Sequence, residues 1–298
     1  MITVDRLTKT YDHHLAVDAL TFSVRPGRIT GFVGPNGAGK STTMRMMVGL
    51  TRPDAGQVLY NGTPYEALTQ PIATIGAALE ASAHPGRTAR NHLRIMGAAG
   101  GLPASRVDAV LAEVGITSVA DKRVGGFSLG MRQRLSLAGA LLGEPETLLL
   151  DEPANGLDPD GIRWLRHYLR SYAEQGGAVL VSSHLIAELS LFADDLVVIG
   201  AGRLLAAATV DEITNSADTS VLVQTPQRSE LTVLLAERGL SVSDFDSCRL
   251  NVTGMARADI AQLALDHHIR LDELVDQQAS LEDLLVDLTD DTAEFTST

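Results

Sequence analysis

The chain has 298 residues, 45% of them hydrophobic and 20% charged, a balance that suits a cored protein and excludes disorder. One cysteine, Cys248, rules out an intramolecular disulfide and fits a reducing compartment. Residues 1–204 carry 19 acidic and 19 basic side chains and residues 205–298 carry 18 and 5, so the whole net charge of −13 lies in the last third, where it would repel nucleic-acid phosphates.

The start, Met1-Ile-Thr-Val-Asp-Arg-Leu, lacks the charged-then-apolar pattern of a signal peptide. No run reaches the roughly 18 apolar residues of a membrane span. The nearest, Leu196 to Val210, is broken by Arg203 and two glycines. The expectation is a chain that neither crosses a membrane nor enters the secretory route.

Uniformly apolar runs predict strands at Ile29–Val33, Thr147–Leu150, Ala178–Ser182 and Leu196–Ile199, the composition of strands covered on both faces of a parallel sheet. Helices are predicted at Lys40–Gly49, Thr88–Ala99, Ala104–Val114, Ser128–Leu142 and Gly161–Glu174. The alternation reads as α/β. Residues 85–145 hold three helices in succession and no strand, as an all-helical insertion would. Val210–Thr219 is polar and reads as a linker, dividing the chain into domains at 1–210 and 211–298. Beyond it come strand Ser220–Thr225, helix Glu230–Arg238, strands Leu240–Phe245 and Arg249–Thr253, helix Arg257–His267 and strand Arg270–Val275. These six make a βαββαβ, ferredoxin-like order in a small α+β domain. A helix at Leu281–Leu288 and a loose end at Thr289–Thr298 complete the reading.

Gly34-Pro-Asn-Gly-Ala-Gly39-Lys40-Ser41 fits the phosphate-loop pattern G-x-x-x-x-G-K-[ST], between a predicted strand and a predicted helix as that motif requires. Gly34, Gly37 and Gly39 let the backbone curl so that its N–H groups point at phosphate oxygens, and the following helix presents its positive end to them. Lys40 would reach the β- and γ-phosphates of ATP, and Ser41 would offer a hydroxyl to Mg²⁺. Asn36 and Thr42 belong to the same candidate nucleotide-binding set. The four fixed positions would coincide by chance in roughly one chain in a hundred of this length, so an accidental Gly-rich turn is the weaker account. Thr147-Leu-Leu-Leu150-Asp151-Glu152 ends an apolar strand in two carboxylates, at the sheet edge where open α/β folds bind ligands. Asp151 suits Mg²⁺ and Glu152 suits a general base facing the attacking water.

Between and after these motifs, Ser128-Leu-Gly130-Met-Arg-Gln-Arg134 resembles the signature motif of ABC ATPases. Asn155-Gly-Leu-Asp158-Pro159 resembles their D-loop, and Ser183-His184 their H-loop. Tyr11 stands where that family has an adenine-stacking aromatic. The resemblance spans about residues 1–210. It implies a nucleotide-binding core with a mostly parallel sheet, an antiparallel β part and the helical insertion. It further implies a head-to-tail dimer with a second copy or close homologue, in which Ser128 and Gly130 of one subunit meet the γ-phosphate held by Lys40 of the other. Asp158 would join that nucleotide site, and His184 would contact the γ-phosphate and hold the water in line. Ser128 is also a good helix N-cap, which agrees with the placing of that helix end against a phosphate.

Two departures from the family pattern stand out. The usual Leu-Ser-Gly-Gly-Gln is here Phe127-Ser-Leu-Gly-Met131. The position usually held by a Gln near Mg²⁺ is held by Glu80, a carboxylate that could also serve as a metal ligand. Glu80 is expected to slow basal turnover until a partner repositions its loop. The tail, Ala279-Ser-Leu-Glu-Asp-Leu-Leu-Val-Asp-Leu-Thr289, looks like those of ABC-2-type exporter ATPases, a group that serves antibiotic resistance and peptide-antibiotic immunity.

Met44, Met46 and Met47 read as core filling. His13-His14 and His267-His268 read as surface histidines, because helix neighbours point apart and no ligand spacing joins them to others. Arg87, Arg90 and Arg94 read as a solvated basic face. The expected function is an ATPase subunit on the cytoplasmic face of the membrane, powering export through separate permease subunits, with no nucleic-acid partner. The alternative is a non-transport ABC ATPase acting on the ribosome or DNA.

Overall fold

The computed structural model describes residues 1–80, 83–184, 189–216, 220–246 and 248–277. Two compact units meet in sequence at Val210 and Asp211.

The first unit opens with a hairpin, β1 (Ile2–Tyr11) and β2 (His14–Val24), whose two-residue turn sets Asp12 at φ 52°. Then come β3 (Ile29–Val33), α1 (Lys40–Met47), β4 (Ala55–Tyr60), β5 (Thr63–Pro64), α2 (Pro71–Thr74) and β6 (Ile75–Ala78). Helices α3 (Ala89–Ala99), α4 (Ala104–Glu113) and α5 (Leu129–Leu141) form the helical insertion. The unit closes with β7 (Thr147–Asp151), α6 (Pro159–Glu174), β8 (Ala178–Ser183), β9 (Asp195–Gly200) and β10 (Arg203–Thr209).

Two sheets result. One is antiparallel, β2-β1-β4-β5. The other has the order β10-β9-β3-β8-β7-β6, parallel throughout except for the edge strand β10. Strands β3, β8 and β9 are buried along their whole length, the polar Thr30, Ser182, Ser183 and Asp195 included, as strands covered on both faces are. From Leu20 to Val24, β2 alternates buried and exposed residues, the mark of a sheet with one covered face. Met44, Met46 and Met47 of α1 are buried in the core that also holds residues of both sheets. Phe22 of the antiparallel sheet stacks on Phe32 of the parallel one, ring centroids 5.3 Å apart. The parallel strands β3, β7 and β8 deliver their C-terminal ends to one edge, and there the candidate site forms.

The helical insertion contains no strand among the described residues, only an isolated bridge between Thr88 and Arg123. Within it, the expected solvated face gives way at Arg90, whose guanidinium pairs with Asp108 and Asp121. The carboxylates flanking Arg90 turn a surface cation into a tie across the insertion.

In the second unit the order is β11 (Ser220–Gln224), α8 (Arg228–Ala236), β12 (Ser241–Asp244), β13 (Arg249–Thr253), α9 (Arg257–Asp266) and β14 (Glu273–Gln277), with α7 (Val210–Ser216) preceding them. The antiparallel sheet runs β12-β13-β11-β14, giving the βαββαβ arrangement. Val221, Val223, Leu250 and Val252 form its core with Leu231, Leu235, Ile260 and Leu263 of the helices. The last strand starts three residues later than the sequence suggests. Ile269 is still core and His268 sits at φ 57°, so the chain must turn before Glu273 can pair with Gln224. The linker reading of Val210–Thr219 is corrected: Val210–Ser216 is helical, with Asp211 and Glu212 in the first turn favouring the positive helix end and Ile213 buried. Leu281–Leu288 and Thr289–Thr298 lie outside the described residues.

Candidate functional site

The loop between β3 and α1 is built around steric exclusion of side chains. At Gly39 φ is 99°, and a Cβ there would lie 2.5 Å from the Ala16 carbonyl oxygen on β2. A Cβ on Gly34 would lie 2.3 Å from the Ile199 carbonyl oxygen. The loop can therefore press against β2 and β9 only with glycine at both places, and the N-terminus of α1 is left facing the cavity.

Lys40 is only 6% exposed. Its ammonium donates to the carbonyl oxygens of Gly34 (2.6 Å) and Pro35 (3.2 Å) and lies 3.9 Å from Glu152 Oε1. Burial lowers its pKa below the ordinary lysine value, while Glu152 and Asp151 pull it back up. Ser41 Oγ donates to Asp151 Oδ2 at 2.7 Å. A hydroxyl and a carboxylate so close together are the hard oxygen donors that Mg²⁺ prefers, and they stand at the phosphate loop. The residues fit the ion.

Glu152 follows the last residue of β7 at φ 48°, a left-handed conformation that costs a non-glycine residue roughly 1–3 kcal/mol. The kink accompanies a carboxylate aimed at His184, whose Nδ1 lies 3.0 Å and 3.1 Å from the two carboxylate oxygens. Gln133 of α5 donates to the carbonyls of Glu152 and Asn155, both at 3.4 Å, tying the signature helix to this loop.

A cavity of about 350 Å³ is lined by Tyr11, His14, Asn36, Gly37, Gly39, Lys40, Ser41, Thr42, Asp151 and Glu152, with Ala16. Tyr11 is 44% exposed, has the Lys9 ammonium 5.4 Å from its ring centroid, and lies directly opposite His14 across the hairpin. Most of the candidate residues thus share one pocket. Gly34, Ser128, Gly130, Asp158 and His184 are not among its lining. Ser128 caps α5, accepting from Met131 N at 3.2 Å, and Asp158 caps α6, accepting from Gly161 N at 2.8 Å. A Cβ on Gly130 would lie 3.2 Å from Gly156 O, so the two motifs are packed side by side. The altered residue Leu129 lies over Gly156, where any Cβ would meet it at 2.1 Å.

Glu80 is likewise outside the pocket. Its carboxylate pairs with Arg45, its carbonyl accepts from Ser136 Oγ at 3.2 Å, and it lines a separate cavity with Arg45, Leu50 and Leu79. His14, which reads as a surface histidine in the sequence, is exposed and also lines the site. Ser182 belongs to no motif in the sequence. Its hydroxyl touches both Asp151 and Glu152, and only the pairing of β8 with β7 reveals it.

The ABC transporter family profile matches residues 17–155, and a profile for a domain of unknown function matches 219–282. A profile for an AAA domain described as a putative AbiEii toxin matches residues 122–190, spanning the signature helix and the Asp151-Glu152 strand. An uncharacterized ABC transporter ATP-binding protein of Bacillus subtilis, YhcH, is 34% identical over 99% of this chain and 97% of its own. The bacitracin transport ATP-binding protein BcrA of Bacillus licheniformis is 36% identical over 83% of this chain and 81% of its own. Among solved structures, the ATP-binding subunit of an ABC transporter superposes with a TM-score of 0.66 at 28% identity, over 72% of this chain and 92% of that one. With the phosphate loop, the Asp-Glu strand end and the parallel core in place, these likenesses show that the chain belongs to the ABC transporter ATP-binding proteins and is an ATPase.

Proposed function

We propose that the chain is the motor of an exporter, in which ATP closes a head-to-tail pair of these subunits and hydrolysis reopens it. Separate membrane-spanning permease subunits turn that cycle into transport, and the protein sits on the cytoplasmic face of the membrane through them. The observation that carries this reading is the convergence of Lys40, Ser41, Asp151 and Glu152 on one cavity, with His184 in contact with the Glu152 carboxylate. Phosphoryl transfer asks a protein for positioning and charge stabilisation, and this group supplies both.

In this reading Lys40 exchanges its carbonyl partners for β- and γ-phosphate oxygens. Ser41 and Asp151 hold Mg²⁺, which when bound neutralises charge on the phosphates. Glu152 accepts a proton from the attacking water, and His184, already in contact with Glu152, holds the water in line. Tyr11 stacks on the adenine. Gly34, Asn36, Gly37, Gly39 and Thr42 surround the phosphates. Ser128, Gly130 and Asp158, which lie outside their own chain's pocket, serve the nucleotide of the opposing subunit. Glu80, held by Arg45, keeps its negative charge off the triphosphate until the permease moves the loop.

Transport is favoured because a relative matched over most of both chains is named for bacitracin transport, and the resemblance of the tail to ABC-2-type exporter ATPases favours export as its direction. No helix among the described residues is long and apolar enough to cross a membrane, so transport would need a partner that is. The test is purification of tagged Glu152→Gln protein from native membranes in mild detergent with ATP. A stoichiometric polytopic membrane protein is expected. Ribosomal proteins or DNA without such a partner would leave the ATPase and remove the transporter.

A further inference from the structure

Ser182 is fully buried on β8, in register with Asp151 on the neighbouring strand β7. Paired residues on adjacent strands point to the same face, so the Ser182 hydroxyl lies beside the Asp151 carboxylate. It makes two contacts. It accepts from the Glu152 backbone N–H at 2.9 Å, and it bonds to Asp151 Oδ1.

The direction of both bonds follows from donor counting. A backbone N–H can only donate, so Ser182 Oγ must be the acceptor there. The hydroxyl has a single proton, and a carboxylate can only accept, so that proton goes to Asp151 Oδ1. One buried hydroxyl therefore fixes both acidic residues at once.

The consequence for Asp151 is orientation. The terminal torsion of an aspartate is broad and two-fold, and would otherwise let either oxygen face the pocket. With Oδ1 held by Ser182, Oδ2 is the oxygen presented to Ser41 at 2.7 Å. The consequence for Glu152 concerns its backbone. The left-handed turn at φ 48° leaves its N–H beyond the end of β7, and Ser182 supplies the acceptor that this part-buried donor needs.

We infer that Ser182 is a positioning residue for hydrolysis: it aims Asp151 Oδ2 at the cation and holds Glu152 in the kink that carries the general base. The inference rests on the roles proposed above for Asp151 and Glu152. Among the described residues the Ser182 hydroxyl bonds to Asp151 and Glu152 and not to Lys40 or the loop, so binding of nucleotide without metal is outside its reach.

The test uses the full chain with a non-hydrolysable ATP analogue and reads Mn²⁺ binding by EPR titration, alongside phosphate release and analogue binding in EDTA. Ser182→Ala should weaken Mn²⁺ about 10-fold or more, the usual effect of losing a group that orients a metal ligand. It should lower kcat by a similar factor and leave metal-free analogue binding within about twofold. Ser182→Thr and Ser182→Val have the same shape and differ in the hydroxyl, so Thr should bind Mn²⁺ at least about fivefold more tightly than Val, in line with that magnitude. Equal behaviour of that pair, or a parallel loss of metal-free binding in Ser182→Ala, would make the residue a packing element and overturn the inference. Asp151→Asn separates the two levels. If it keeps Mn²⁺ affinity, the metal assignment falls and takes the inference with it. If it loses Mn²⁺ while Ser182→Ala retains wild-type affinity, the inference alone falls.

Discussion

Replacing Gly39 by alanine tests whether the phosphate loop is held by shape. The residue sits at φ 99°, ψ 5°, at the N-cap of α1, and the new Cβ would be placed 2.5 Å from Ala16 O and 3.3 Å from a Val17 methyl. The left-handed conformation alone costs a non-glycine residue roughly 1–3 kcal/mol. The contact with Ala16 is with backbone in a paired strand, so it cannot be relieved by turning a side chain, and the loop must move instead. For a unit of this size each kcal/mol lowers Tm by about 2–4 °C, which gives an expected loss of roughly 2–12 °C. Displacing the cradle by about 1 Å should reduce turnover about 100-fold. Gly62→Ala is the control, since it is also left-handed, at φ 84°, and has nothing within 4 Å of the added Cβ. It should lose stability and keep nucleotide binding. Thermal melts, titration with a fluorescent ATP analogue and phosphate release would read all three quantities. A Gly39→Ala protein with wild-type melting, binding and turnover would show that the loop does not depend on this contact.

Glu152→Gln should cut phosphate release by about 100-fold or more, the range of a general base, and leave ATP binding within about threefold. Undiminished turnover in that variant would refute the role of Glu152. Glu80→Gln removes the carboxylate paired with Arg45, an exposed ion pair of a class worth about 0–1 kcal/mol, so basal turnover should rise by up to about fivefold. Basal and permease-stimulated rates both unchanged from wild type would dismiss Glu80 as a brake. Asp195 is buried, which by itself raises its pKa, but hydrogen bonds from Arg28 and Arg25 more than offset this and hold it below the usual value. Its contribution to stability is therefore present above about pH 4 and lost as pH falls through the depressed value. Urea melts of wild type and Asp195→Asn should differ at pH 6 and converge toward pH 2; a constant gap would refute that linkage.

How much of this was legible depended on whether the signal was local. The phosphate loop, the Asp151-Glu152 strand end and the capping serine Ser128 are contiguous in sequence, and each lies where its spacing placed it. The antiparallel sheet was legible only through the family resemblance. Its first hairpin breaks register between Val4 and Leu7 and again before Lys9, with Arg6 at φ 47° and Ala19 at φ 48°. Each irregularity resets the two-residue period that marks a strand, so the alternation in β2 is confined to Leu20–Val24 and does not run through the hairpin. Partners set by tertiary pairing were beyond reach for a different reason. Ser182 is one of two adjacent serines in an apolar run, and nothing in the run says which one faces Asp151. Thirty-one residues separate the pair, and the answer is fixed by the register of β7 with β8. Glu80 is the same case across 35 residues: its departure from the family pattern was visible, but the cation that holds it, Arg45, lies on α1. A motif announces the residues that meet the ligand. The groups that aim those residues are announced by the sheet.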